Sequence, residues 1–497
     1  MPLRWYRQDR EAVLAALARG ERPDMATTLS AGVVDELVAL HDELGVVDIL
    51  DTVLLDRERA GVPDALLLRT LATLPFLAEG GLVGAADALF KEPAILLRLG
   101  WASVAIREGT NERHRHPDGR QPESLPCHPD TLRDALRRVA ATAWETVQRV
   151  GVRSLSTHTA VRGKVYAIDG SGIGPHRRVV ALVCVSGERP LIVAWRLLEG
   201  AASEKGCEAS VTRALVEQAL ELGGAGCIRL LLADALYADG PLLAWLTYAK
   251  GIDALVPLPE NRLLYQDSAG LAATGVIGWT AHSYRRTLQG HKQTRRVEVA
   301  SVGNLTSWDG FVEAAAQYGA TEATLWACLI REQDAPPGAP LPRGLVSTRA
   351  WADSFAALPA YRPRWHSEDD PYRALKEGWL LEEQRWGRAV AAARGHLTLT
   401  CLAFNTAQVY RTRAGEQLAK RGIRRLRRVH QPALGAAPSV IYVAGCYAVL
   451  ALEEVLAVLG APVRASLLPG PAPPRATPPT DAAPACLSAP QRSGRVA

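Results

Sequence analysis

The sequence predicts a mixed α/β protein, in which a sheet flanked by helices follows an N-terminal helical region and is interrupted by a β-rich insertion. Three observations predict this class. Apolar residues recur at helical spacing over residues 31–100, short β-branched runs begin at Lys164, and such runs then alternate with helix-compatible segments. A chain of 497 residues, 48% hydrophobic and 22% charged, is long and apolar enough to form two or three folded domains.

The N-terminal part of the chain has the apolar spacing of packed helices. Val34, Leu37 and Val38 have the three- and four-residue spacing of one helical face, and Leu67, Leu71 and Leu74 have it again. Residues 106–129 are rich in Pro, Gly, Arg and His and predict a loop. An amphipathic helix is predicted from about residue 130 to residue 150.

The residue pattern changes from helical to strand-like at Lys164, where β-branched residues become frequent. Strands are predicted at Val165–Ile168, Val179–Val185, Leu191–Leu197, Ile228–Ala233 and Ile252–Leu258, with helices over Glu208–Leu222 and Gly240–Lys250. Three strands, then a helix, a strand, a helix and a strand is the order of a mixed α/β domain.

The rest of the chain has weaker or interrupted patterns. Short strand-like pieces continue to about residue 360, and a long helical region is predicted from Glu368 to about Tyr410. The apolar run Val440–Leu452 predicts a buried helix, because its 13 residues are fewer than a bilayer span requires. Eight prolines between Pro469 and Pro490 predict a disordered tail.

These patterns divide the chain into five predicted parts. They are a helical N-terminal region (1–150), a mixed α/β core (151–258 and 361–410), a β-rich insertion (259–360), a basic and helical C-terminal region (411–463) and a disordered Pro/Ala-rich tail (464–497).

Charge and cysteine content restrict the classes of partner. The net charge of +5 is too small to indicate a polyanion partner by itself. The segment from Arg411 to Arg428, however, contains eight basic residues and a single acidic one, Glu416. That stretch is either a phosphate-attracting surface or a solvated helix face.

Eight cysteines without a C-x-x-C pair indicate neither a zinc site nor a disulfide framework. With no apolar signal-peptide core in residues 1–10, a cytoplasmic protein without a membrane partner is expected.

Two acidic residues occur where predicted strands end. Asp169 directly follows one strand, and Asp234 follows another. Because α/β folds place chemistry at strand ends, these carboxylates are expected to converge, and Glu368 offers a third. Two magnesium ions held by carboxylates can catalyse phosphodiester chemistry. Taken singly, each acid could instead be a turn-former or a helix cap.

The same residues resemble those of bacterial insertion-sequence DDE transposases, and in particular the group with a Tyr-Arg-Glu-Lys signature. Four segments within about residues 80–410 carry the resemblance, namely Tyr166–Gly170, Ala233–Tyr237, Tyr361–Glu368 and Leu375–Trp379. It implies an RNase H-like catalytic core, flanked by helices, that binds Mg²⁺, for which Mn²⁺ would substitute. The catalytic and metal-binding residues that it implies are Asp169, Asp234 and Glu368, and the residues implied to contact the DNA backbone are Tyr361, Arg364 and Lys376.

One spacing departs from the family pattern. Seven residues, 369–375, separate Glu368 from Lys376, whereas the family has six. One additional residue turns an α-helix by about 100°. Either a distortion near Pro371 restores the register, or Asp369, which has the six-residue spacing, is the third metal ligand. A copy that has lost its activity is a further reading.

The resemblance implies strand cleavage at transposon terminal repeats and strand transfer into target DNA, by a homodimer that pairs both ends beside the bacterial nucleoid. The helices of residues 31–150 are expected to bind the repeats, and a helix over about 440–459 to pair the protomers, although simple core packing explains either segment equally well. The alternative function is that of a decayed or repurposed transposase that only binds DNA, and a structure-specific nuclease is a third. The glycines after Asp169 match neither a nucleotide-binding nor a serine-hydrolase motif.

Overall fold

The structure is a computed structural model in which most of the chain is described. The described residues are 6–28, 33–57, 61–77, 81–109, 125–158, 164–174, 176–187, 189–204, 206–288, 291–333, 342–351, 353–364, 371–383, 386, 389–413, 439–450 and 452–458. Glu368, Asp369, the tail 464–497 and most of the basic stretch that ends at Arg428 lie outside them.

The N-terminal region is helical, as predicted, apart from two short strands. Its strands are β1 (Arg7–Gln8) and β2 (Met25–Thr28), and its helices are α1 (Arg10–Ala18), α2 (Val34–Glu43), α3 (Asp64–Thr73), α4 (Leu82–Phe90), α5 (Pro93–Leu99), α6 (Ser103–Glu108), α7 (Pro129–Arg138) and α8 (Ala141–Ser156). The prediction of one helix over about 130–150 is wrong, because Val139 and Ala140 have extended backbone and separate α7 from α8. Because of this break, α7 and α8 both pack on the long helix Val390–Arg413.

A nine-stranded mixed sheet forms the centre of the molecule. Its strands are β3 (Lys164–Gly172), β4 (Arg177–Cys184), β5 (Leu191–Glu199), β6 (Ile228–Leu232), β7 (Asp253–Leu258), β8 (Thr280–Leu288), β9 (His291–Leu305), β10 (Leu325–Glu332) and β11 (Arg343–Ser347). The spatial order is β5-β4-β3-β6-β7-β11-β10-β9-β8. Strand β3 pairs antiparallel with β4 and parallel with β6, so the sheet has the mixed α/β character that the sequence predicts.

Helices connect and cover these strands. They are α9 (Thr212–Gly223), α10 (Gly240–Ala244) with its π-helical continuation Trp245–Ala249, α11 (Leu263–Ala273), α12 (Asp309–Gln317), α13 (Ala357–Tyr361) and α14 (Val390–Arg413). The buried helix α14 lies along the edge strand β5, where the amide of Asn405 donates to Ile192 O at 2.7 Å and accepts from Ile192 N at 2.9 Å. A side-chain amide therefore satisfies backbone groups that an edge strand leaves unpaired.

The insertion extends the central sheet. Strands β8 to β11 lie within residues 259–360, as do α11 and α12, and β11 pairs antiparallel with β7 through contacts such as Leu345 opposite Pro257. The β-rich character of the insertion was predicted, but its continuity with the core sheet was not. After β11 the chain continues to α13, whose last residue, Tyr361, contacts Ala233 directly after the end of β6.

The C-terminal region contains a hairpin where a helix was predicted. Strands β12 (Ser439–Val443) and β13 (Cys446–Leu450) pair antiparallel, and helix α15 (Leu452–Val458) begins only after them. Between the strands, Ala444 and Gly445 have φ of 51° and 76°, the positive values that a two-residue hairpin turn of type I′ requires. The prediction of a buried helix over Val440–Leu452 is therefore wrong, because β-branched and aromatic side chains here pack on both faces of a sheet.

Strands from the two ends of the chain complete this small sheet, whose order is β1-β13-β12-β2. Val13 and Leu17 of α1 cover one face. On the other face, the hydroxyl of Tyr442 donates to Ala94 O and the guanidinium of Arg98 lies 4.2 Å from the ring centroid of Tyr447. The segment expected to pair protomers thus packs within its own chain.

The length and apolar composition of a helix decide whether it can cross a membrane. None of the described helices alone is long and apolar enough to cross a bilayer. The consecutive segments Asp64–Leu77 and Leu82–Phe90 reach that length and composition only together, and they are bent by 99° relative to each other.

Two buried histidines predict a loss of stability in acid. Burial lowers the pKa of His396, which stacks on Trp386, to about 3. Burial, aided by the charge of Arg69, lowers the pKa of His41, which contacts Thr406, to about 3. The unfolded chain therefore binds protons below about pH 6.5 that the folded chain rejects, so stability is present above pH 6.5 and lost as the pH falls towards 3. Each histidine should cost about 1.4 kcal/mol per pH unit, or roughly 2 kcal/mol at pH 5.

Urea denaturation between pH 7 and pH 5 measures this effect. His41→Gln and His396→Gln should each reduce the pH dependence of the free energy of unfolding. An unchanged pH dependence in both variants would contradict the assignment to these two side chains.

Candidate active site

The two predicted aspartates belong to neighbouring parts of the central sheet, with Asp169 on β3 and Asp234 two residues after β6. In the parallel pair of β3 and β6, Tyr166 is opposite Leu231 and Ala167 is opposite Leu232, an offset of 65 residues in both cases (231 − 166 and 232 − 167). The same offset separates Asp169 from Asp234 (234 − 169). Both side chains line one cavity of about 660 Å³. The structure thus brings together the carboxylates that the strand ends predicted.

Asp169 lies inside its strand, although the sequence pattern ended that strand at Ile168. Strand β3 continues to Gly172, and Asp169 pairs with Ala181 of β4. The buried hydroxyl of Tyr372 lies between these two residues, where it donates to Asp169 O and accepts from Ala181 N at 3.0 Å. The side chain of Tyr372, which no sequence motif singles out, thereby holds the backbone of Asp169 in place.

A cation lies directly against Asp169. Arg364 Nη1 is 3.2 Å from Asp169 Oδ2, and these residues are 8% and 9% exposed. The other carboxylate oxygen of Asp169 accepts from Gly170 N at 2.8 Å. Tyr361, at the end of α13, donates its hydroxyl to Ala233 O at 3.0 Å, one residue before Asp234. Tyr361 and Arg364 thus contact the two segments that carry the aspartates, while their contacts with DNA stay a prediction.

Lys376 reaches the same cavity from a π-helical turn, Ala374–Gly378. Its Nζ is 2.7 Å from Glu382 Oε1, and its side chain is 29% exposed. A π-helix closes its hydrogen bonds over one residue more than an α-helix, so a π-helical turn absorbs an inserted residue. This turn includes the last two residues of the segment 369–375, which is one residue longer than the corresponding segment of the family.

The sequence patterns missed a buried ion pair beside Asp169. Glu208 is 2% exposed, and its carboxylate accepts from Arg178 Nη1 at 2.8 Å and from Gly206 N at 2.6 Å. A Cβ atom on Gly170 would lie 2.5 Å from Glu208 Cγ. Only the glycine directly after Asp169 signals this close approach in the sequence. Both members of the ion pair line the cavity, which therefore holds a buried carboxylate and a fixed cation in addition to the two aspartates.

The oxygen donors of this cavity fit a hard divalent cation. Mg²⁺ in proteins is commonly held by one or two carboxylates and keeps several of its waters, and two adjacent aspartates match that requirement. Within the described ranges, no group of three or more His, Cys, Asp or Glu side chains is arranged to hold a metal ion. Glu368, the predicted third ligand, lies outside those ranges.

The fold and the cavity together define a mixed α/β protein with an acidic site at the edge of two parallel strands. The chain matches no profile of a known protein family and no curated protein.

Proposed function

We propose that this chain is a DDE transposase, which cleaves DNA at transposon terminal repeats and transfers the cut strand into target DNA. One observation carries the proposal. Asp169 lies on β3, Asp234 lies two residues after the adjacent parallel strand β6, and both line a cavity that also contains Arg178 and Lys376. Paired carboxylates for metal ions, with cations beside them for phosphates, are the groups that phosphodiester chemistry requires.

The strand order supports an RNase H-like core for residues 151–258 and 361–410. Strands β5, β4 and β3 are antiparallel neighbours, and β6 and β7 follow beside β3 in parallel, which is the arrangement of that fold. Asp169 lies on the central strand β3, and Asp234 follows β6. In this proposal, the insertion is an extension of the same sheet beyond β7.

The carboxylates of Asp169 and Asp234 would hold Mg²⁺ or Mn²⁺, with Glu368 as the third ligand. When bound, the metal activates the attacking oxygen and stabilises the leaving oxygen at the phosphorus. The charge of Arg364 against Asp169 reduces the repulsion between the neighbouring carboxylates. The π-helical turn before Trp379 favours Glu368 over Asp369 as the ligand, because it absorbs the additional residue before Lys376.

In this proposal, basic side chains of the cavity release their carboxylate partners and bind DNA phosphates instead. Lys376 pairs with Glu382 and Arg373 pairs with Glu377, and most of these side chains are partly or largely exposed. Exposed ion pairs contribute little to stability, so a phosphate can replace the carboxylate at small cost. Arg178, by contrast, is fixed by buried Glu208 and provides a preformed positive charge. Contacts to phosphates orient DNA without reading its sequence.

The test is Mg²⁺-dependent cleavage of a plasmid that carries the gene with its native flanking DNA, with the wild-type chain compared with Asp234→Ala. Cuts at the flanking repeats that are absent with the variant, and wild-type products joined to target DNA, are the expected result. Repeat binding without cuts would instead indicate a decayed DNA-binding protein. Cuts unrelated to repeats, without joining, would indicate a nuclease.

A further inference from the structure

Tyr237 has a buried hydroxyl without a hydrogen-bond partner in the described part of the chain. Its side chain is 1% exposed and lines the cavity of Asp169 and Asp234. It ends the short 3₁₀ turn Ala235–Tyr237, whose first backbone N–H is capped by Asp234. Buried polar groups nearly always have a partner, and an unsatisfied one costs stability. The hydroxyl therefore requires an explanation that folding alone does not provide.

The surroundings of the hydroxyl are acidic. Burial raises the pKa of Tyr237, and the negative charges of Asp169, Glu208 and Asp234 raise it further. Its proton is therefore retained over the physiological pH range, and next to three anions the group acts as a hydrogen-bond donor.

The other two tyrosines at this site have satisfied hydroxyls. Tyr361 donates to Ala233 O, and Tyr372 both donates to Asp169 O and accepts from Ala181 N. Their hydroxyls hold backbone in place. Tyr237 differs from them, because its ring fills the core as a phenylalanine would, whereas its hydroxyl bonds to nothing in the described residues.

We propose that Tyr237 is a positioning residue, whose hydroxyl donates to a carboxylate oxygen of the Asp169, Asp234 and Glu208 group when a divalent cation is bound there. The inference rests on the proposed function. Carboxylates that bind metals are themselves held by hydrogen bonds, and loss of such a bond typically weakens metal affinity or activity by about 10- to 100-fold. Tyr237 would turn a carboxylate oxygen towards the cation, and the metal-free protein would carry the cost of the unpaired hydroxyl.

The experiment compares full-length wild-type chain with Tyr237→Phe, by titration with Mn²⁺ and by thermal unfolding with and without Mn²⁺. Tyr237→Phe is expected to bind Mn²⁺ about tenfold more weakly. Its melting temperature without metal should be unchanged or higher, because an unsatisfied buried group has been removed. Its stabilisation by Mn²⁺ should be smaller than that of the wild type.

Tyr265→Phe is the matched control. Tyr265 is equally buried, but its hydroxyl donates to Pro342 O at 2.6 Å in the insertion. This variant should melt at a lower temperature and bind Mn²⁺ as the wild type does. Equal Mn²⁺ affinity of the wild type and Tyr237→Phe, or a lower metal-free melting temperature of Tyr237→Phe, would overturn the role of Tyr237 alone. A wild-type chain that binds no Mn²⁺ would overturn the proposed function as well.

Discussion

Asp169→Asn is expected to reduce Mg²⁺-dependent DNA cleavage by at least about a thousandfold, which corresponds to roughly 4 kcal/mol of activation free energy. The amide has the size of the carboxylate and can still accept from Gly170 N, but it lacks the charge that a divalent cation requires. Binding to DNA should persist, because the cations of the cavity remain and one negative charge is removed. Cleavage rates and gel-shift affinities on the same repeat-bearing fragment measure both effects.

Asp239→Asn is the matched control for this substitution. Asp239 lies five residues after Asp234, and its Oδ2 accepts from Leu242 N at 2.9 Å at the start of α10. Asparagine caps helices about as well as aspartate does, and Asp239 is not among the described residues that line the cavity. This variant should cleave at the wild-type rate. Cleavage by Asp169→Asn at the same rate as by Asp239→Asn would argue against a metal-binding role for Asp169.

Gly170→Ala is expected to lower the free energy of unfolding by about 2 to 3 kcal/mol and to impair cleavage. The added methyl group would lie 2.5 Å from Cγ and 3.1 Å from Oε1 of Glu208, and that side chain has little freedom to move because Arg178 and Gly206 N hold its carboxylate. Relief of the contact displaces either Glu208 or the strand that carries Asp169. Urea denaturation and the cleavage assay report the two consequences separately.

Gly172→Ala tests whether the contact with Glu208 is the cause. Gly172 lies on the same strand, and in the described structure no other heavy atom comes within 4 Å of the position that its Cβ would take. Alanine should be tolerated there without loss of stability. If Gly172→Ala were as destabilising as Gly170→Ala, the strand backbone would be responsible and the close approach to Glu208 would not.

Sequence patterns were sufficient to predict the core strands and the convergence of Asp169 and Asp234. The strands β3 to β7 are runs of β-branched and apolar residues bounded by turns, and a strand buried on both faces needs such a run. Adjacent parallel strands run to the same edge of a sheet, so an acid late in β3 and an acid just after β6 line the same cavity. The register between the strands could not be predicted in the same way, because it depends on how the strands pair in the assembled sheet.

The ion pair of Glu208 with Arg178 could not be predicted in this way. The two residues are 30 positions apart, and the pair forms only because a 3₁₀ turn before α9 packs on Gly170. The C-terminal hairpin was missed for another reason. Periodicity does not distinguish a continuous apolar run in a helix from one in a buried strand, and only the turn at Gly445 marks the difference.

The small sheet β1-β13-β12-β2 cannot form during synthesis until its C-terminal strands have been made. Strand β1 pairs with β13 through Arg7 and Cys446, which are 439 positions apart (446 − 7). At about 5–20 residues per second, a ribosome needs roughly 20–90 s to make the chain between them. During that interval Val13 and Leu17 of α1 have not yet met their partners on β12 and β13. A nascent chain that stalls before residue 439 would therefore present an apolar helix to chaperones.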